Sequence, residues 1–138
     1  MILLDTNVIS EPLRRLPDPN VVEWINAQAI DTLFLTSITV AELRAGVALL
    51  PAGQRKNVLH LNLETRVIPL FAGRILSFDL ACTHAYAELI AQSRAAGLTI
   101  TTADGYIASI AIANKFSIAS RDTAPFYAAG AEVINPWE

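Results

Sequence analysis

Cysteine occurs once in these 138 residues, as Cys82, and histidine twice, as His60 and His84. A single thiol excludes an internal disulfide and a cysteine-rich zinc site. The two histidines do not have the spacing that puts two ligands on one helix face, so they read as surface or partly buried side chains. Cys82, between Ala81 and Thr83 in an apolar stretch, reads as a packing residue. Charged residues make up only 17% and apolar ones 53%, a balance that excludes a disordered chain. No apolar run has the length that spans a bilayer. The start Met1-Ile2-Leu3-Leu4-Asp5 has no basic leader and reaches an acid at once, unlike a secretory signal. The expectation is a cytoplasmic protein with no membrane contact, one domain over residues 1–138.

A net charge of −3 argues against a general nucleic-acid binder, which needs a basic surface. It does not exclude an enzyme whose acids hold metal and whose phosphate contacts are local.

What the chain does contain is an alternation of short apolar runs with helical patterns. Ile2-Leu3-Leu4, Leu33 to Thr36, Arg74 to Phe78, Phe116 to Ser120 and Glu132 to Asn135 read as strands. Helices are predicted over Val21–Ala29, Ile38–Leu50, Gln54–Glu64, Asp79–Ala96 and Thr102–Asn114. Pro17-Asp18-Pro19-Asn20 marks a turn, Pro51-Ala52-Gly53 a stop, and Gly97 a helix end. Val67-Ile68-Pro69-Leu70 fits neither state. The pattern predicts an α/β fold, a three-layer α/β/α sandwich around a mostly parallel sheet. In such sheets ligands bind beyond the carboxyl ends of the strands.

Four acids belong at that edge. Asp5 ends the first strand, Asp122 follows the fourth, and Glu42 and Asp104 lie in the first turns of helices. Two readings are open for each taken singly. Thr39-x-x-Glu42 and Thr101-x-x-Asp104 fit capping boxes, and Asp5 and Asp122 fit caps of the segments after them. Asp79 reads as a cap, and Glu11, Asp18, Glu23, Asp31, Glu64, Glu88 and Glu132 as solvated charges. As a set the four acids say more. Gathered carboxylates repel, by about 4 kcal/mol per close pair at an effective dielectric of 20, and a divalent cation reverses that sign. Oxygen-only ligands favour Mg²⁺ or Mn²⁺, and the natural reaction is phosphodiester hydrolysis by metal-activated water.

The same residues resemble PIN-domain proteins of the VapC toxin type. The likeness runs through Met1 to Ser10, Ile38 to Arg44, Ala103 to Ala108, Ser120-Arg121-Asp122-Thr123 and Asn135-Pro136-Trp137. It implies a Mg²⁺- or Mn²⁺-dependent endoribonuclease, the toxin of a type II toxin–antitoxin pair. It also implies a homodimer, in a larger assembly with a small DNA-binding antitoxin (ribbon-helix-helix or similar) whose tail lies over the active site. The family's acidic quartet falls on Asp5, Glu42, Asp104 and Asp122, and its hydroxyl on Thr6, which would orient Asp5 or a bound water. Relatives often have Thr where this chain has Ser120, so the hydroxyl is kept. Ser120, Arg121 and Arg44 are candidates for substrate contact, with a surface ion pair the other reading of Arg121. Arg14, Arg15, Arg55 and Lys56 are further candidates to guide RNA, against a default of solvated surface. Phe34, Phe71, Phe78 and Phe116 read as core, with no stacking platform for bases.

Other α/β chemistries fit less well. An aspartyl phosphatase wants a second acid two residues after Asp5, where Asn7 stands. A phospho-receiver domain wants an acid pair that is absent here. The remaining rival is a catalytically weak scaffold acting with a DNA-binding antitoxin in operator binding and autoregulation.

Overall fold

The apolar run Ile2–Leu4 forms the central strand, β1, of a five-stranded sheet in the computed structural model, which describes residues 1–138. The other strands are β2 (Leu33–Thr36), β3 (Ile75–Leu76), β4 (Ser117–Ala119) and β5 (Val133–Ile134). Their order is β3-β2-β1-β4-β5, and every pairing is parallel. Side-chain alternation decides which layer each strand residue serves. Leu3 and Ile118 enter one buried cluster, with Cys82, Leu89, Ile107 and Phe126. Leu4 and Ala119 enter the other, with Val8, Val21, Leu43 and Phe71. Two cores on opposite faces of one sheet make the three-layer α/β/α sandwich.

Helices α1 (Thr6–Ser10), α2 (Pro19–Ala27), α3 (Ser37–Ala48) and α4 (Gln54–Asn62) belong to the first half of the chain. Helices α5 (Leu80–Ala95), α6 (Thr102–Asn114) and α7 (Thr123–Ala128) belong to the second. Local chemistry explains their ends. Asp18 caps α2 by accepting the Asn20 N–H, and Pro19 takes the first helical position, so this helix starts before the predicted Val21. Asp79 caps α5 through the Cys82 N–H, as its position predicts. Gly97, at φ 71°, closes α5 in the left-handed conformation that glycine adopts without strain. The unclassified stretch at Val67–Leu70 continues a π turn (Leu63–Val67) into a 3-10 turn (Ile68–Phe71).

Three expectations need correction. The third strand is only two residues long, Ile75–Leu76; the Arg74 carbonyl beside it accepts the Leu35 N–H, and the Arg74 side chain donates to the Leu33 and Leu70 carbonyls. Thr39 does not cap a helix: α3 begins at Ser37, Thr36 accepts the Thr39 N–H, and Thr39 is buried one turn in. Glu11 is not a solvated charge. It is 3% exposed and pairs with Arg14 at 2.8 Å.

The chain runs from β1 outward through β2 and β3, then returns to β4 and β5 on the other side of β1. The sheet therefore reverses direction between β1 and β4, the place where open α/β sheets leave a crevice. No helix is long and apolar enough to cross a membrane.

Candidate metal centre

Asp5 stands at the carboxyl end of β1, where its N–H extends the ladder to the Ala119 carbonyl at 2.9 Å. Its carboxylate is buried between two donors. Oδ1 accepts the Thr6 N–H at 2.8 Å, which caps α1, and Oδ2 accepts the Ser120 hydroxyl at 2.7 Å. These bonds favour the charged form, yet desolvation outweighs them. With further repulsion from Asp104 and Glu42, the Asp5 pKa is pushed up to about 6.

Asp104 lies in the first turn of α6. Its N–H donates to Thr101 Oγ1 at 3.2 Å, the contact of an ordinary N-cap. Its carboxyl is also held above the usual range, first by burial and then by the charges of Glu42 and Asp122, with the Thr101 hydroxyl acting against them. The position of α6 depends on a close approach to α5. Gly105 allows it, since a Cβ there would stand 3.1 Å from Tyr86 Cε2.

Glu42 projects from α3 and accepts the Thr6 hydroxyl at 2.7 Å; the same hydroxyl lies 3.3 Å from that of Thr39. Asp122 occupies the N-cap position of α7 but makes no capping bond. It accepts instead from Asn7 Nδ2 at 3.4 Å. Asp5 is thus both cap and cluster member, whereas Glu42 and Asp122 cap nothing. None of the four forms an ion pair with a cation of this chain.

The site also redistributes tasks among the neighbours. The Thr6 hydroxyl holds Glu42, while its backbone holds Asp5. Ser120, a candidate for substrate contact, is fully buried and donates its hydroxyl to Asp5. Arg44, a candidate for substrate contact, is bound by both oxygens of Glu64, at 2.8 and 3.0 Å. That contact raises the pKa of Arg44 and lowers that of Glu64. Arg121 makes no ion pair; its guanidinium sits 5.2 Å over the Trp137 ring. Both histidines are exposed, and Cys82 is buried, its thiol pushed up by desolvation. Sequence reasoning missed Asn7, whose partners Ser120, Arg121 and Asp122 are set by tertiary contact, and Thr36, the local cap of α3 that no turn residue marks. It also missed the half-buried cluster of Phe78, Tyr86 and Tyr106, with ring centroids 4.7 to 6.0 Å apart.

The donor set is all hard oxygen, and the raised Asp5 and Asp104 carboxyls mark a place where added positive charge is favourable. No three such side chains stand close enough to chelate one ion outright. The arrangement fits a cation that keeps much of its water and is held by one or two carboxylates, as Mg²⁺ is. Beside the acids runs a groove of about 310 Å³ that includes Thr6 and Glu42, with Leu13, Val47 and Leu59 on its walls and Arg14 at its side.

Comparison with known proteins agrees along the chain. The chain is 64% identical over 138 residues to the plasmid stability protein StbB of Pseudomonas syringae pv. tomato, covering 100% of this chain and 99% of the relative. It is 54% identical over 138 residues to VapC ribonuclease Y4jK of Sinorhizobium fredii, with the same coverage. It is 52% identical over 137 residues to toxin FitB of Neisseria gonorrhoeae, covering 99% of each. The structure of FitAB bound to an IR36 DNA fragment superposes with a TM-score of 0.97 at 50% identity, over 100% of this chain and 96% of that one. The PIN domain model matches residues 2–132, and the chain belongs to the PIN-domain family.

Proposed function

We propose that this chain is a metal-dependent endoribonuclease and the toxin of a type II toxin–antitoxin pair, working in the cytoplasm as one domain over residues 1–138. The observation that carries the reading is the gathering of Asp5, Glu42, Asp104 and Asp122 at the β1–β4 switch point with no cation of the chain to neutralise them. Clustered acids without a counter-charge cost stability, so their placement calls for an ion.

Each residue then has a task that this chain's geometry supports. Asp5, Glu42, Asp104 and Asp122 would surround Mg²⁺ or Mn²⁺, one or two of them binding it directly and the others through its retained water. When bound, the ion supplies an activated water and charge stabilisation at the phosphate. Ser120 and the Thr6 N–H aim the Asp5 oxygens, and the Thr6 hydroxyl aims Glu42. Arg121 lies next to Asp122 in sequence and is free of acidic partners, which suits it to a phosphate or to an acidic side chain of the antitoxin.

The names of the relatives, a VapC ribonuclease and toxin FitB, support the activity, and FitAB on DNA supports a DNA-binding antitoxin as partner. The groove that opens on Thr6 and Glu42 has the apolar wall and basic side that an antitoxin tail would use. A homodimer within a larger toxin–antitoxin assembly completes the reading.

Cleavage of a single-stranded RNA, titrated with Mg²⁺ or Mn²⁺ and then with chelator, tests it. Activity should rise with metal, vanish with chelator and be absent in Asp104→Asn. Absent or metal-independent cleavage, together with intact operator repression by the antitoxin complex, would overturn the enzyme in favour of the scaffold.

A further inference from the structure

We infer that Asn7 is the positioning residue for Asp122; the inference rests on reading Asp122 as a metal ligand. Asp122 stands at a helix N-cap yet leaves the helix N–H groups alone. The one hydrogen bond its carboxylate accepts from this chain comes from Asn7 Nδ2 at 3.4 Å. The same Nδ2 reaches Ser120 Oγ at 3.4 Å, and Asn7 Oδ1 accepts the Arg121 N–H at 3.3 Å. One carboxamide thereby spans Ser120, Arg121 and Asp122 in succession.

Chemistry explains why the residue is Asn. A carboxamide has two N–H donors and a separate acceptor. An aspartate could accept from Arg121 but could not donate, and it would repel Asp122. A serine hydroxyl is too short to bridge three partners. All three contacts are long, so each is weak. Their joint effect is to set the direction of a loop carboxylate, not to hold the fold. The anchor itself is firm, because Asn7 lies in α1 two residues after Asp5, with buried Val8 and Ile9 beyond it. The first strand's end thus controls where the fourth strand's acid points.

The test is a double-mutant cycle read by calorimetric titration with Mn²⁺ alone. Asn7→Ala should weaken Mn²⁺ binding about tenfold, the lower end for losing a group that orients a ligand. Asp122→Ala should weaken it at least as much. The double variant should bind like Asp122→Ala, because Asn7 acts only through that carboxylate. A structural role would instead lower the melting temperature and leave the Mn²⁺ affinity of the folded protein unchanged. Asn7→Ser carries the same comparison should Asn7→Ala fold poorly. Weaker binding in Asp122→Ala but not in Asn7→Ala or Asn7→Ser overturns the inference alone, and so does full additivity. Unchanged affinity in Asp122→Ala overturns it together with the metal-ligand reading beneath it.

Discussion

The Ser120 hydroxyl reaches across from β4 to Asp5 at the end of β1, donating at 2.7 Å to Oδ2. Ser120 Oγ in turn accepts the Asp122 N–H at 3.0 Å and Asn7 Nδ2 at 3.4 Å. One hydrogen given and two accepted is the full capacity of a hydroxyl. Ser120 is therefore a saturated junction between two acids that lie 117 residues apart in the chain.

Ser120→Ala removes that junction and leaves its three partners, Asp5, Asn7 and the Asp122 N–H, without it. The expected loss is about 1–3 kcal/mol of stability at pH 7, the range for a buried bond to a charged group. Since the hydroxyl favours the ionised form of Asp5, its removal should also move the Asp5 titration further upward. Ser120→Thr should keep both properties. Urea unfolding and carboxyl NMR titration of the two variants check this.

Asp5 gives the metal-free protein an inverted acid response. Its folded pKa is about 6, against about 3.9 in an unfolded chain. Between those values the folded state holds more protons, so stability is greatest below pH 4 for this group and falls as pH rises to about 6. The loss is on the order of 2–3 kcal/mol. Asp104, shifted in the same direction, adds to it. Asp5→Asn should flatten the slope and leave the metal-free protein as stable as the parent or more so at pH 7. Saturating Mg²⁺ should raise the parent's melting temperature at pH 7 and lose that effect near pH 5, where protons compete. Thermal melts across pH 4.5–7.5, with and without the ion, give the answer. A parent slope that persists in Asp5→Asn would assign the effect elsewhere.

The Glu11–Arg14 pair offers a third measurement. Glu11 is almost wholly buried, while the Arg14 side chain is 62% exposed. Arg14→Met should strand the carboxylate and cost on the order of 1–3 kcal/mol, less than a fully buried pair would because water reaches the arginine. Glu11→Gln in that background should recover part of the loss. Equal destabilisation in the single and double variants would mean that Arg14 acts through its stem and not its charge.

Much of this was readable in advance, for identifiable reasons. Asp5 and Asp122 follow apolar runs, and strand ends are where α/β sheets do chemistry, so their convergence follows from the alternation alone. Asp79 and Gly97 act within a few residues of themselves, and local signals of that kind survive in sequence. The partners of Asn7, Ser120 and Arg44 were not legible for the opposite reason. Arg44 meets Glu64 across 20 residues, and Asn7 meets Asp122 across 115. Thr39 reads as a cap because a strand running straight into a helix, with Thr36 as the joint, leaves no turn residues to mark the boundary. The aromatic group at Phe78, Tyr86 and Tyr106 was invisible for want of any common period.

Because β1 sits between β2 and β4, the ribosome makes the middle of this sheet before either neighbour, and the β4–β5 flank after the β2–β3 flank. A nascent chain that has released Asp5 and Glu42 still lacks Asp104, Asp122 and the strand that brings them in. The acidic cluster is thus complete only after Asp122 has been made and β4 has docked beside β1.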